Sequence, residues 1–492
     1  MRLLTISAAA VLAVVLGNPS TAVAADRVDG HRRPDVVIFM LDDVPHLDGL
    51  RLWRSMPNIR RVFLDQGVRF SQMFGESPLC CPGRAGWLTG LHTFNHGVDA
   101  NDVDLFDPSM TLATQLDGIG YETILAGKYF NGYQRVAPDV PPGWDHFHAT
   151  TGAYYHYTIW NDGHRDGEQY GGRPDDYSTD VITAKALADI RHTAPSERIF
   201  AWLAPNAVHG PITPAARHAR DPRCASIPSW RPANYDEGDV SDKPAFVRSE
   251  SPLDAPAYDL VDECRTLLAV DDAVGAVREE LARQGRLDDT LLVLTSDNGM
   301  NAGAHRLLGK GTPYATQVPF FVSWPGVLGT GGDMVAERVS NIDLAPTICD
   351  LAGCALGPYP NGQRQADGRS FASLLLGTGA GPGRDALLED MPAGSKDIPV
   401  WYALATTQRS PLSEMGCWSS ASGGCRWHYV KYGTGARELY DVSNGPCWTW
   451  RKGEPGDPCE LHNLAGRPEY RQLKAALSSR LAQLKAEGGR ND

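Results

Sequence analysis

The sequence predicts an α/β protein built on a large mixed, mostly parallel sheet that is flanked by helices and followed by a smaller antiparallel sheet. Three observations support this fold class. Apolar runs of strand length end in polar residues, helical patterns lie between those runs, and the composition changes near residue 380. Strands that alternate with helices form βαβ units, and such units build mostly parallel sheets.

Four apolar runs predict the central strands. They are "DVVIFMLDD" (residues 35–43), "YETILAGK" (121–128), "RIFAWLAPNAVHGP" (198–211) and "DTLLVLTSDNG" (289–299). Nearly continuous apolar runs of this length are typical of strands that are buried on both faces of a parallel sheet. The helical patterns between them include residues 181–192 and 260–285, which we expect to cover the sheet.

A second region follows the glycine-rich stretch "GTGAGPGRD" (377–385). It contains two strand-like segments, at residues 400–408 and 426–442, and then an amphipathic segment at residues 469–484. This pattern predicts a short antiparallel sheet that is closed by one helix.

Residues 1–24 have the pattern of a secretory signal peptide. A basic residue precedes an apolar run at residues 3–16, and the small triplet "AVA" at residues 22–24 suits a cleavage site. The apolar run is shorter than the roughly 20 residues that a membrane-spanning helix requires. We expect an exported protein without a membrane span, with a main α/β domain at residues 25–384 and a C-terminal subdomain at 385–492.

Charge and cysteine content narrow the function classes. The 492 residues carry a formal net charge of −13, spread along the chain, whereas nucleic-acid binding needs a basic surface, so no nucleic-acid partner is expected. Ten cysteines in an exported chain favour disulfides. Proximity in the sequence favours the pairs Cys349–Cys354, Cys417–Cys425 and Cys447–Cys459, and Cys224–Cys264 is expected as the longer bridge. The sequence alone does not fix this connectivity, and the pairing leaves Cys80 and Cys81 over.

Polar residues at the ends of two predicted strands indicate a metal site. Asp42 and Asp43 follow the first central strand, and Asp297 and Asn298 follow the last. Ligands of open α/β sheets gather at the carboxyl ends of the strands, and carboxylate and amide oxygens suit Ca²⁺ or Mg²⁺ rather than zinc. The alternative is that these residues are ordinary turn and cap residues.

Four cationic side chains lie in loops at or near the strand ends. They are Arg84, Lys128, His209 and Lys310, each next to a glycine or proline. Their charged groups could converge on an anion beside the metal. The alternative is that each is a solvated loop residue.

The segment "CCPGRAGWLTG" (residues 80–90) resembles the signature of type I sulfatases, in which Cys, any residue, Pro, Ser or Gly, and Arg precede a segment ending in Thr-Gly. Further blocks in the order expected for that family are "GYETILAGKY", "PNAVHGP", "SDNG", "GKGTPY", "NIDLAPTICDLAG" and "ADGRSFASLLLG". The double cysteine, "AGKYFNGY" (126–133) and "YYHYTIWNDG" (154–163) are most similar to the N-acetylglucosamine-6-sulfatase and heparan endosulfatase branch. The resemblance spans about residues 35–464.

This resemblance implies an alkaline-phosphatase-like fold and a formylglycine-dependent, calcium-dependent sulfatase, with Ca²⁺ preferred to Mg²⁺. Cys80 matches the residue that is converted to Cα-formylglycine, and Pro82 and Arg84 match the rest of the core that the formylglycine-generating enzyme recognises. The positions that match metal ligands are Asp42, Asp43, Cys80, Asp297 and Asn298. The positions that match side chains around the sulfate and the modified residue are Arg84, Lys128, His209 and Lys310.

The implied reaction is hydrolysis of a sulfate ester on a sulfated sugar, amino sugar or glycan. One hydroxyl of the formylglycine hydrate attacks sulfur, with help from the cation and Asp297, and the sugar alcohol leaves. We expect His209 to protonate the departing oxygen, and Lys128 and Lys310 to bind the sulfate oxygens. Deprotonation of the other hydroxyl then re-forms the aldehyde and releases sulfate.

The sequence departs from the family pattern in two loops. Many sulfatases have Gly-Lys-Trp-His where this chain has Gly-Lys-Tyr-Phe at residues 127–130, and we expect Asn131 to take over the hydrogen bond of the missing histidine. The base for the second step is therefore left open. After Lys310, the stretch "YATQVPF" (314–320) lacks the acidic residue and the arginine that are common in the family, and Ala304 stands where glutamate is common. These departures leave the substrate open.

Other interpretations remain at this point. His96, Asn101 and His305 lie in nearby loops, where either substrate contact or an ordinary capping role fits. The alternative functions are a phosphonate monoester or phosphodiester hydrolase of the same superfamily, and a non-catalytic protein that binds sulfated glycans. The latter is expected to have lost the nucleophile or the metal ligands, and this chain retains both. Cys81 is expected to be a small, packed and unpaired side chain.

Overall fold

The structure is a computed structural model that describes residues 27–28, 31–46, 51–225, 227, 231–254, 260–328, 331–359, 366–379, 381–417 and 424–487. The predicted signal peptide at residues 1–24 lies outside the described residues. The strands are β1 Arg27–Val28, β2 His31–Arg32, β3 Asp35–Leu41, β4 Val68–Phe70, β5 Met73–Phe74, β6 Tyr121–Lys128, β7 His146–Thr150, β8 Tyr157–Asn161, β9 Glu168–Tyr170, β10 Arg198–Ala204, β11 Thr290–Ser296, β12 Phe320–Ser323, β13 Asp333–Val335, β14 Val339–Ser340, β15 Ala386–Met391, β16 Trp401–Thr406, β17 Trp427–Tyr432 and β18 Arg437–Asp441.

Helices connect these strands. The α-helices are α1 Arg51–Arg54, α2 Pro57–Ile59, α3 Cys80–Thr89, α4 Thr93–His96, α5 Leu112–Asp117, α6 Ser178–His192, α7 Pro222–Ala225, α8 Ala245–Arg248, α9 Leu260–Arg283, α10 Pro325–Leu328, α11 Leu344–Ala352, α12 Ala372–Leu375 and α13 Arg471–Glu487. A π-helical segment at Arg60–Asp65 continues α2. Among the described residues, we find no helix that has both the length and the apolar character needed to cross a bilayer.

The main sheet has the strand order β13-β4-β12-β11-β3-β10-β6-β7-β8-β9. The four strands predicted from apolar runs, β11, β3, β10 and β6, lie side by side in its centre and are parallel. On one side β12 is antiparallel to β11, and on the other side β7 is parallel to β6 and is followed by the antiparallel strands β8 and β9. The predicted large, mixed, mostly parallel sheet is therefore confirmed.

Both faces of the main sheet are covered, which explains why the central strands are continuously apolar. Val36 and Ile38 of β3 belong to the hydrophobic cluster that includes α3, α5 and α11. Val37 and Phe39 belong to the cluster on the opposite face, which includes α6 and α9. Because side chains of a strand alternate between faces, a strand buried on both sides has no polar alternation.

A separate four-stranded antiparallel sheet follows, which we call the C-terminal sheet, with the order β15-β16-β17-β18. Leu473, Leu477 and Leu481 of α13 pack on one of its faces, together with Trp427. Trp401 belongs to the separate apolar cluster on its other face. The predicted antiparallel sheet with one closing helix is confirmed, whereas the boundary between residues 384 and 385 stays a prediction.

The sequence did not reveal β15, the first strand of the C-terminal sheet. Its sequence "ALLEDM" contains Glu389 and Asp390, yet both are buried.

The four predicted disulfides are confirmed, and Cys80 and Cys81 are free and buried.

Candidate active site

The polar residues predicted at the strand ends converge at the carboxyl edge of the main sheet. Leu41 and Ser296 are paired in the register of the parallel strands β3 and β11, so the residues that follow them emerge side by side. Asp297 donates its backbone N–H to the carbonyl of Leu41 at 2.9 Å. Ligand atoms of Asp42, Asp43, Cys80 and Asp297 all lie within 4.8 Å of one another, and all four residues are buried.

Helix α3 brings Cys80 to this edge, because Cys80 is its first residue. The Cys80 Sγ lies 3.6 Å from Asp42 Oδ1 and 4.0 Å from Asp43 Oδ1. The helix packs closely on the backbone after β11, since a Cβ at Gly83 would lie 2.3 Å from the carbonyl oxygen of Asp297. A glycine at this position of the "CCPGR" segment is what allows that approach.

Three cations alternate with the carboxylates of the cluster. Arg84 is fully buried and donates from Nε to Asp297 Oδ2 at 2.9 Å and from Nη1 to the carbonyl of Lys128 at 2.6 Å. Lys128, the last residue of β6, donates from Nζ to Asp42 Oδ2 at 2.6 Å. Lys310 donates to Asp43 Oδ1 and, at 2.8 Å, to the Sγ of Cys80. The structure thus brings together Arg84, Lys128 and Lys310 as the sequence predicted.

Burial and these charges act together on the protonation of the cluster. Burial acts to raise the pKa of Asp42, but Lys128 and Arg84 outweigh it and hold that pKa well below its usual range. Burial, reinforced by the charge of Asp42, raises the pKa of Asp297. Burial also raises the pKa of the Cys80 thiol. At neutral pH the cluster therefore contains an ionised Asp42 beside a protonated thiol.

The donor set fits a hard divalent cation such as Ca²⁺ or Mg²⁺. Three carboxylates and the side-chain amide of Asn298 meet here, and Asn298 Nδ2 donates to Asp43 Oδ1 at 2.7 Å. Asn298 Oδ1 also accepts a hydrogen bond from Lys310 at 3.3 Å, so this oxygen points into the cluster. Clustered oxygens of this kind suit Ca²⁺ or Mg²⁺ better than zinc.

His209 lies at the outer side of the cluster, on the loop after β10. Its Nδ1 donates to the carbonyl of Gly210 at 2.7 Å, because a carbonyl can only accept, and its Nε2 lies 3.7 Å from Asp43 Oδ2. The side chain is 35% exposed. Tyr154 donates its hydroxyl to the carbonyl of His209 at 2.9 Å and so fixes this loop.

Asn131 contacts Cys81, the neighbour of Cys80. Its backbone N–H donates to Cys81 Sγ at 3.2 Å, and the Cys81 thiol lies 3.5 Å from Asn131 Oδ1. Cys81 is fully buried in the same hydrophobic cluster as Ala85, Trp87 and Leu88 of α3. The predicted role of Asn131 toward the modified residue stays a prediction.

The three residues for which two roles were open have structural partners. His96 Nε2 lies 3.2 Å from Glu76 Oε1, His305 Nδ1 lies 2.6 Å from Glu237 Oε2, and both histidines are buried. Asn101 Oδ1 accepts from the backbone N–H of Cys81 at 3.0 Å. The capping or hydrogen-bonding role is therefore favoured for each.

Sequence reasoning missed the support beneath α3. Glu76 is fully buried and accepts hydrogen bonds from the backbone N–H of Thr93 at 2.8 Å and from its hydroxyl at 3.1 Å. Asn341 accepts from the backbone N–H of Glu76 at 2.9 Å and donates to the carbonyl of Gly83 at 3.3 Å. An isolated acidic residue in a loop carries no periodic signal, although Asn341 begins the quoted block "NIDLAPTICDLAG".

Comparisons with known proteins identify the family of this chain. A family model described as sulfatase matches residues 34–354. An extracellular sulfatase SULF-1 homolog of Drosophila melanogaster is 31% identical over 369 residues, which are 70% of this chain and 31% of that protein. Human N-acetylglucosamine-6-sulfatase is 31% identical over 376 residues, which are 71% of this chain and 65% of that protein. The chain thus spans less than two thirds of the length of these relatives.

Solved structures share the fold. A protein solved in complex with its substrate D-glucosamine-2-N,6-O-disulfate has a TM-score of 0.68 and 20% identity, covering 94% of this chain and 99% of that one. A phosphonate monoester hydrolase from Silicibacter pomeroyi has a TM-score of 0.64 and 22% identity, covering 92% and 96%. At these identities the likeness shows the alkaline-phosphatase-like fold alone.

Proposed function

The chain belongs to the sulfatase family, and from that premise we propose that it hydrolyses sulfate esters of a sulfated sugar, with 6-sulfated glucosamine as the first substrate to test. The observation that carries the proposal is the meeting of Cys80 with three carboxylates and three cations at one edge of the main sheet. The sugar class is supported by the relatives named N-acetylglucosamine-6-sulfatase.

We propose that Cys80 is converted to formylglycine by a formylglycine-generating enzyme. Its support is the "CCPGR" segment, the position of Cys80 at the start of α3, and its freedom from the four disulfides. When present, the formylglycine hydrate supplies the nucleophilic hydroxyl, and bound Ca²⁺ makes that hydroxyl more acidic and neutralises negative charge. Asp42, Asp43, Asp297 and Asn298 would hold the Ca²⁺ beside residue 80.

Lys128 and Lys310 are the proposed ligands of the sulfate oxygens. Both ammonium groups point into the cluster, so they can stabilise the negative charge that develops when the ester bond breaks. Arg84 has a different proposed role. Its hydrogen bonds to Asp297 and to the carbonyl of Lys128 fix the relative positions of a metal ligand and a sulfate ligand.

His209 is the proposed proton donor to the departing sugar oxygen. Because Nδ1 is bound to the carbonyl of Gly210, Nε2 is the ring nitrogen left to face the site and exchange a proton. Its partial exposure allows that proton to be replaced from solvent. Asn131 is the proposed additional polar contact near residue 80, in the place of the histidine that this chain lacks.

We also propose that the protein is exported, with residues 1–24 as the signal peptide and with domains at residues 25–384 and 385–492. The four disulfides support an oxidising compartment.

Purified protein, made with a formylglycine-generating enzyme and supplied with Ca²⁺, should be assayed on glucosamine saccharides sulfated at the 6-O, 4-O, 2-O or N position. Cys80→Ala should lower kcat/KM by at least about 10³-fold, since it removes the nucleophile. Mass analysis of the peptide that contains residue 80 should show a loss of about 18 Da relative to cysteine, as expected for the thiol-to-aldehyde conversion. Full activity of Cys80→Ala, or unmodified Cys80 in active protein, would contradict the mechanism.

A second candidate is phosphonate monoester or phosphodiester hydrolysis, because the Silicibacter pomeroyi phosphonate monoester hydrolase shares the fold. The sulfate, phosphate and phosphonate esters of one aryl alcohol should be compared under the same conditions. A kcat/KM that favours phosphate or phosphonate by orders of magnitude would replace the sulfatase proposal with this one. Binding of sulfated glycans without turnover of any ester would support the non-catalytic alternative.

A further inference from the structure

The C-terminal sheet contacts the Lys310 loop, residues 309–315, at two points. Trp401 of β16 donates its indole N–H to the carbonyl of Gly311 at 2.9 Å. Tyr314 donates its hydroxyl to Glu438 Oε1 of β18 at 2.5 Å. These contacts lie one and four residues after Lys310, so a different part of the fold anchors this loop.

Glu438 is a buried acceptor that several hydroxyls share. Besides Tyr314, it accepts from Tyr432 at 2.6 Å and from Tyr440, and the carboxylate is fully buried. Burial raises the pKa of Glu438, while the three tyrosine hydrogen bonds act in the opposite direction. A buried carboxylate is costly without donors, so the Tyr314 hydroxyl is held where Glu438 needs it.

The Lys310 loop contains no acidic residue of its own after Lys310. Residues 314–320, "YATQVPF", contain no carboxylate side chain. Glu438 supplies a carboxylate to the same loop from a strand more than 100 residues further along the chain.

Further contacts fit this loop closely against its surroundings. Gly311 has a φ of +96°, and a Cβ there would lie 3.1 Å from Ile398 and 3.3 Å from Met391. Thr312 donates its hydroxyl to Asn301 Oδ1 at 2.6 Å. Lys310 itself belongs to no helix or strand, so contacts of its loop neighbours, and not a regular element, hold its backbone.

We propose that Glu438 and Trp401 are positioning residues, which act through Tyr314 and Gly311 to hold the ammonium group of Lys310 beside Cys80. The C-terminal sheet thereby sets the affinity of the site for the sulfate group. This inference rests on the proposed function of Lys310 as a sulfate ligand.

Three tyrosine variants test the inference, because each removes one donor from the same carboxylate while only Tyr314 belongs to the Lys310 loop. We expect Tyr314→Phe to raise KM and the inhibition constant of inorganic sulfate about tenfold, since a displaced Lys310 binds the anion less well. Tyr432→Phe and Tyr440→Phe should share its loss of thermal stability but keep the inhibition constant within about twofold of the wild type. Equal effects of all three variants on sulfate inhibition would overturn the proposal.

A pair of tryptophan variants tests the second anchor. Trp401→Phe removes the donor to Gly311, and Trp427→Phe removes a comparable buried indole donor, which bonds to the carbonyl of Leu412 at 3.2 Å on the other face of the sheet. We expect only Trp401→Phe to weaken sulfate inhibition by more than about threefold. Equal weakening by both variants would mean that general stability of the sheet, and not the anchor, matters.

A Lys310→Met background shows whether Tyr314 acts through Lys310. Adding Tyr314→Phe to Lys310→Met should change sulfate affinity no further, because the group that Tyr314 positions is already absent. Full additivity would overturn the inference.

Sulfate affinity should also be measured by calorimetry, independently of turnover. A wild type that binds sulfate without hydrolysing any sulfate ester would contradict the proposed function, whereas equal sulfate affinity of wild type and Tyr314→Phe would contradict this inference. Absence of sulfate binding by the wild type would overturn both.

Discussion

Two regions of this molecule bury carboxylates, and they neutralise them in different ways. At the carboxyl edge of the main sheet, three aspartates alternate with three cations within one cluster. In the C-terminal sheet, three tyrosine hydroxyls donate to Glu438 of β18, and His428 of β17 pairs with Glu460 from the segment that follows the sheet. In the first region, opposite charges compensate the carboxylates, whereas in the second region hydrogen bonds stabilise them.

This difference separates a region suited to binding ions from a region suited to holding position. Crowded charges repel as well as attract and pay desolvation, so a cluster like that of Asp42, Asp43 and Asp297 is poor at stabilising a fold. It can instead exchange its internal ion pairs for a metal ion and an anion. A carboxylate that is satisfied by hydroxyl donors gains little from an added ion, and its hydrogen bonds stabilise one geometry.

Replacing a carboxylate by its amide should impair metal binding in the first region and stability in the second. Asp43→Asn keeps the shape of the side chain, and asparagine tolerates the positive φ of 61° at this position. Loss of one anionic ligand should abolish Ca²⁺ binding in calorimetry and lower kcat/KM by about 10²- to 10³-fold, with stability changed by less than about 1 kcal/mol. Addition of a chelator to the wild type should reproduce the loss of activity.

Glu438→Gln is the matched variant in the C-terminal sheet. An amide offers one acceptor and turns an N–H₂ group toward hydroxyl donors, so the free energy of unfolding should fall by about 1 to 3 kcal/mol. Ca²⁺ affinity should stay at the wild-type value. If Glu438→Gln lost Ca²⁺ binding, or Asp43→Asn mainly lost stability, the two regions would not differ in the way described.

The same difference between the two regions explains how much of each one the sequence predicts. The charges at the carboxyl edge of the main sheet stand directly after apolar strands, and parallel strands bring their carboxyl ends together, so Asp42, Asp43 and Asp297 were predictable as a group. Three of the disulfide pairs were predictable because the partners are close in the sequence, whereas Cys224–Cys264 spans 40 residues. Cys80 stood out because its segment resembles a family signature.

The remaining contacts depend on how separate parts of the chain pack. Glu438 lies in the strand sequence "RELYD", which favours a half-exposed strand with polar residues outward. Docking of the C-terminal sheet on the Lys310 loop buries that face, and no local pattern reveals such docking. Glu389 in β15 and Glu76 beneath α3 were missed for the same physical reason.

A pH titration should show loss of stability that originates in the C-terminal sheet. Burial acts to lower the pKa of His428, but its pairing with Glu460 outweighs this and raises the pKa to about 9. The folded pKa lies above the value of about 6.5 expected when unfolded, so the stabilisation is complete below pH 6.5 and disappears as pH rises through about 9. We expect the free energy of unfolding to fall by about 2 to 3 kcal/mol between about pH 6.5 and 9.

Urea unfolding at intervals of pH measures this effect. His428→Gln should flatten the pH dependence, while His192→Gln, at an exposed position of α6, should keep the wild-type slope. At the carboxyl edge of the main sheet, Lys128 and Asp42 keep their charges across this pH range, because their pKa values are displaced away from it. An unchanged slope in His428→Gln would assign the pH dependence to another group.

Cys81 allows a comparison between a side chain of the charged cluster and a side chain of the core within one helix. It is adjacent to Cys80, and yet its contacts are those of a packing residue. Its thiol interacts with Asn131, and its side chain is buried in the core beneath α3. Cys81→Ala should therefore cost about 1 kcal/mol of stability from the small cavity and the lost sulfur contact, and should change kcat/KM by less than about threefold. Steady-state kinetics and thermal unfolding of Cys81→Ala beside Cys80→Ala make the comparison. If Cys81→Ala lost activity as completely as Cys80→Ala, the packing contacts of Cys81 would not describe its role, and Cys81 would be needed for the reaction itself.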